Sequence, residues 1–205
     1  MRKNYAVLGV AGAVLVVVSI VVLGPHWPRT KAGSPSTATS LPPGHPQVGS
    51  TSQAEATQAA RVAAMVKRLA AKYAADPSDM RNLMALAYAY FLDQEYGKAA
   101  AAYDTVLKRE PGNVTARVQR AIVWHAQGDD ARAIAALDAV IKAQPGNQEA
   151  HYNLGIVYFA RGKRDLAKSE WETAARIDPT SALGAAAQNF VDLLNGNGAT
   201  PAAGQ

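Results

Sequence analysis

The side chains best able to do chemistry in this 205-residue chain are four histidines, His26, His45, His125 and His151. None has another histidine four positions away, and no carboxylate cluster surrounds one in sequence, so neither a helical metal pair nor a general-base site is encoded. There is no cysteine, which excludes disulfides, thiolate metal sites and covalent haem attachment. The glycines beside Pro111 and Pro145 are turn residues, because no Lys-Ser/Thr follows them to hold a phosphate. No bound metal or cofactor and no enzymatic activity are expected. Trp124 and Trp171 recur within a helical pattern and read as core.

Charge narrows the partners. The net charge is +5, but residues 1–53 carry +4 of it and residues 54–205 only +1. A nucleic-acid binder should carry its basic excess on its folded part, so nucleic acid is not an expected partner.

Three segments must position whatever function remains. Residues 5–23 contain no charge and are rich in valine, leucine and isoleucine. Nineteen helical residues span roughly 28 Å, near the roughly 30 Å hydrocarbon core of a bilayer. The run ends in Gly24-Pro25-His26-Trp27-Pro28, without the small-x-small site of a cleaved signal peptide. Residues 1–23 therefore read as an uncleaved single-pass anchor in a bacterial inner (cytoplasmic) membrane, with a cleaved signal peptide as the rival reading. The small excess of Arg2, Lys3 and the terminal amine favours the N-terminus inside. The rest of the chain would then lie on the periplasmic or extracytoplasmic side. Residues 24–53 hold six prolines, four glycines and nine serines or threonines, the composition of a flexible tether.

From residue 54 the chain becomes alanine-rich, with leucine, tyrosine and valine spaced three and four apart, as in amphipathic helices. Pro77, Pro111, Pro145 and Pro179 stand 34 residues apart. Two residues after each comes a good helix N-cap: Asp79, Asn113, Asn147 and Ser181. The spacing predicts repeats over 80–113, 114–147 and 148–181, each of two helices. Gly128 and Gly162 mark the inner turn of the second and third units, and Asp93-Gln94 takes that place in the first. Residues 55–75 predict an entry helix, with Val62, Met65, Val66, Leu69 and Tyr73 on one side. Residues 182–194 predict a capping helix, and 196–205 a disordered tail.

This pattern resembles the tetratricopeptide repeat (TPR) family: aromatic-x2-Leu-Gly-x2-Tyr, then Ala-x3-Phe, then Pro. The third unit follows it through Leu154, Gly155, Tyr158, Ala167, Trp171 and Pro179, with His151 in place of the first aromatic. Arg120 replaces a leucine in the second unit, which predicts looser packing there. The resemblance implies an all-α, right-handed superhelical solenoid of helix pairs over 54–195, preceded by the N-terminal transmembrane helix. The small residues Ala87, Ala99, Ala121, Ala133, Gly155 and Ala167 would let paired helices approach closely, and Pro111, Pro145 and Pro179 would end the units.

By the same resemblance the first helices line a concave groove. Its expected lining is Met84, Tyr88 and Phe91, then Val118, Ile122 and His125, then Tyr152, Asn153, Ile156 and Phe159. Exposed apolar stripes mark interaction sites, so the expected partner is a protein or peptide client, bound mainly by apolar contact. A self-associating structural scaffold of the cell envelope is the alternative, with the groove covered by the caps or a second copy. The run Met65-Val66-Lys67-Arg68-Leu69-Ala70, leading to Asp76-Pro77-Ser78-Asp79, is similar to the entry of TPR domains in membrane-anchored cytochrome c maturation proteins of the CycH type. That family's roles imply presentation of apocytochrome. Leu83 and Tyr88-Ala89-Tyr90 depart from its pattern.

Overall fold

The computed structural model describes residues 51–196. The expected anchor, nearly all of the tether and the tail from 197 lie outside them. No helix of the described residues is long and apolar enough to cross a membrane.

The described chain is eight α-helices: α1 (Thr51–Ala75), α2 (Met80–Leu92), α3 (Tyr96–Arg109), α4 (Val114–Ala126), α5 (Asp130–Ala143), α6 (Gln148–Ala160), α7 (Arg164–Ile177) and α8 (Ala182–Leu194). Helix α1 begins at Thr51, inside the stretch read as tether. Four cap side chains each accept a hydrogen bond from the backbone three residues on. Asp79 takes it from Asn82, Asn113 from Ala116, Asn147 from Ala150 and Ser181 from Gly184. Each satisfies a donor that the first turn leaves unpaired. The inner turns need a left-handed residue. Gly128 and Gly162 supply it at φ +83° and +71°, and Gln94 adopts φ +59° at the corresponding place. For a residue with a Cβ that conformation costs roughly 1–2 kcal/mol.

Each helix packs on the next, and the core divides into three clusters, each built from one helix pair and a neighbouring first helix. Ala87, Ala99, Ala121, Ala133, Gly155 and Ala167 are all buried. Pro111, Pro145 and Pro179 lie exposed in the turns between units. Consecutive first helices also touch one another: α2 with α4, α4 with α6, and α6 with α8. The second helices α3, α5 and α7 make no comparable contact. The row whose members approach more closely is the inside of the curve, so first helices form the concave side.

The second unit does not pack loosely at Arg120. That side chain is buried, and its Nε and Nη2 reach Oδ1 and Oδ2 of Asp104 on α3 at 2.8 and 3.3 Å. Its guanidinium carbon also lies 4.2 Å from the Trp124 ring centroid. The two-pronged, charge-assisted contact ties the second unit to the first, and the cation–π contact within α4 holds the guanidinium in place, where a leucine would only fill space.

Both ends of the stack are finished with polar residues. One period before Ala102 and Val106, which are buried in α3, α1 carries Arg68 and Lys72, both exposed. One period after Leu154, Gly155 and Tyr158, α8 carries Gln188, Asn189 and Asp192. A further helix in register would bury these groups at a cost.

Candidate functional site

Placing the expected groove residues on this frame splits them. Met84, Tyr88, Ile122, His125, Asn153 and Phe159 keep partial exposure. Phe91, Val118, Tyr152 and Ile156 are buried, and their assignment to an open groove is corrected. Phe91 packs in the first cluster and stands 5.6 Å, centroid to centroid, from Tyr96. Val118 lies at the centre of the second. Tyr152 and Ile156 belong to the third, beneath α8, where Phe190 meets the Tyr152 ring at 6.3 Å. The missing signal was curvature: a first-helix position faces the groove only if the next first helix does not cover it.

The polar groups expected along the first helices have partners within the fold. The Asn153 amide donates one hydrogen bond to the Glu149 carbonyl in its own helix. His125 Nδ1 lies 2.6 Å from Asp130. His151 is buried, with Nδ1 2.7 Å from Glu170 and Nε2 3.0 Å from the Pro145 carbonyl. Both histidines therefore have single-carboxylate partners, five and nineteen residues away in sequence. Each serves to tie a first helix to the start of the following helix or to the facing helix. Among the described residues no group of three or more His, Asp or Glu could hold a metal ion.

What remains on the concave side is a shallow apolar strip through Met84, Tyr88, Ile122 and Phe159. Tyr88 stacks on Phe91 at 6.5 Å, and Phe159 meets Trp171 at 5.7 Å, so both rings are backed by the core. Pre-positioned aromatics lose little freedom when a partner covers them.

One ionisable group in this region was not anticipated. Glu149, in the first turn of α6, is partly buried and accepts a hydrogen bond from Gln119 Nε2 of α4. Burial raises its carboxyl above the ordinary glutamate range, against a smaller opposing effect of the Gln119 hydrogen bond. The sequence did carry a signal for it, since Glu149 is the only carboxylate on α2, α4 and α6.

The raised value has a stability consequence. A carboxyl whose folded pKa exceeds its unfolded one binds more protons when folded, so its contribution falls as pH rises. Glu149→Gln removes that slope and keeps the acceptor for Gln119. The variant is expected to match the wild type at acidic pH, below the unfolded glutamate value. Its advantage should grow as pH rises through that value toward the raised folded one, then level off. Paired urea titrations across this range check it, and a stability difference independent of pH would refute it.

The sequence matches the tetratricopeptide repeat family over residues 52–114, 84–147 and 126–182. No curated protein matches it. Among solved structures, a crystal structure of MamA superposes with TM-score 0.52 at 18% identity, covering 75% of this chain and 88% of that one. The first TPR domain of human RPAP3 gives 0.51 at 20% identity, covering 59% and 93%. The first TPR of Spaghetti (RPAP3) bound to an HSP90 peptide gives 0.50 at 20%, covering 59% and 94%. At these identities the likeness establishes the fold.

Proposed function

Because the chain belongs to the tetratricopeptide repeat family, we propose that it is a binding module, not an enzyme, that holds a client polypeptide against its concave face through mainly apolar contact. The observation that carries this reading is the strip of Met84, Tyr88, Ile122 and Phe159, partly exposed on the inner row of helices and backed by buried aromatics. Polar residues would serve better there if nothing bound, because exposed apolar strips invite aggregation. That RPAP3 is solved with a peptide supports the reading by analogy of fold.

The test replaces Tyr88, Ile122 and Phe159 together with serine and leaves buried Tyr152 in place. Peptides selected by display on the full chain are then titrated against both proteins. Affinity should fall by more than about tenfold, since central apolar truncations cost about 1 kcal/mol or more each. Helical content should be unchanged, and wild-type binding should survive high salt. Undiminished binding by the variant would refute the groove.

The proposal extends to place. Residues 5–23 anchor the chain in the membrane and the repeats face away from the cytoplasm, which protease added to spheroplasts would reveal by cleaving them. An apocytochrome client is the finer reading, supported by the entry segment at 65–79. Loss of holocytochrome c on deletion, restored by the wild-type chain and not by the triple variant, tests it. The alternative is a self-associating structural scaffold of the cell envelope in which a second copy covers the groove; the polar residues that finish α1 and α8 argue only against an end-to-end form of it.

A further inference from the structure

An apolar strip supplies affinity but little register, because an apolar helix or strand can slide along it and keep most of its contacts. Glu149 breaks that uniformity. It stands where α4 and α6 meet on the inner row, held there by Gln119. None of the ion pairs among the described residues reaches it. The arginines on the neighbouring first helix are engaged elsewhere, Arg117 on the Pro111 carbonyl and Arg120 on Asp104. The carboxylate thus stands partly buried on the inner row, without a cation among the ion pairs of the described residues.

We propose that Glu149 reads a single lysine or arginine in the client segment, the cation pairing with its carboxylate while flanking apolar residues fill the strip. The proposal rests on the groove reading above and names the partner's chemistry. A partly desolvated carboxylate gains more from an arriving cation than a fully hydrated one, since less water screens the pair. One charged pair in an apolar interface also fixes register, because every slid alignment leaves two charges without partners. An acidic segment would be repelled.

The experiment selects peptides from a random display library on the full chain and, separately, on Glu149→Gln. Wild-type selections should converge on apolar sequences with one lysine or arginine, and selections on the variant should lose that residue and keep the apolar pattern. Changing the basic residue of a selected peptide to methionine should weaken wild-type binding about tenfold and leave binding to Glu149→Gln unchanged. Convergence on purely apolar or acidic peptides, or a basic preference that survives Glu149→Gln, would overturn the cation site and leave the groove standing. Peptides that bind the Tyr88, Ile122 and Phe159 triple-serine protein as well as wild type would instead overturn the groove reading and this proposal with it.

Discussion

Trp171→Ala is expected to lower the free energy of unfolding by about 3–5 kcal/mol, the range for removing a large buried aromatic. Trp171 is fully buried on α7 and joins three helices. Its ring stacks on Phe190 of α8 with centroids 4.5 Å apart and planes 17° from parallel. Its Nε1 donates to the Tyr152 carbonyl of α6 at 3.1 Å, in a buried setting where that acceptor would otherwise lose a partner. Its other edge meets Phe159. Alanine removes all three contacts and leaves a cavity that rigid helices cannot close. Such a loss is a large part of the roughly 5–15 kcal/mol that holds a domain together. Because each repeat touches only its neighbours, α8 should loosen before α2 and α3. Urea unfolding followed by circular dichroism gives the total, and hydrogen exchange gives the order. A loss below about 1 kcal/mol would place Trp171 among ordinary surface substitutions and contradict this packing.

The second large effect is at Gly155, where Gly155→Leu should cost about 3 kcal/mol, the upper end of overpacking. A Cβ built on Gly155 would lie 2.5 Å from Trp171 Nε1 and 2.7 Å from its Cδ1. In an open helix interior, glycine to alanine gains roughly 0.5–1 kcal/mol from backbone entropy. Here the sign should reverse, since the ring is held by Phe190 and Tyr152 and cannot step aside. Gly155→Ala should therefore destabilise the wild type yet be neutral or stabilising in a Trp171→Ala background, a coupling that a double-mutant cycle reads directly. If Gly155→Ala stabilised the wild type, the ring would have to be free to move.

How much of this was legible depends on how local each cause is. The 34-residue spacing of Pro77, Pro111, Pro145 and Pro179 and their caps acts within a few residues, so helix boundaries followed from sequence, and α8 spans the expected 182–194. The small residues at Ala87, Ala121 and Gly155 were readable for the same reason, because close approach tolerates few side chains. Arg120 was misjudged because its partner Asp104 lies in the preceding unit, sixteen residues away and on another helix.

The groove was legible only in part. Sequence alone determined which positions belong to the first helices, and hence that Tyr88, Ile122 and Phe159 share a row with Tyr152 and Ile156, since helical periodicity fixes the face of each residue. The tertiary structure decided which of them a client can touch. Helix α8 lies over Tyr152 and Ile156, and neighbouring helices bury Phe91 and Val118. Glu149 stands out in the sequence as the lone carboxylate of α2, α4 and α6, but its hydrogen bond from Gln119 and its burial arise only in the tertiary structure. Periodicity is a property of one helix and is written in its own residues. Burial and desolvation arise between helices, from crossing distance and curvature, which no single repeat encodes.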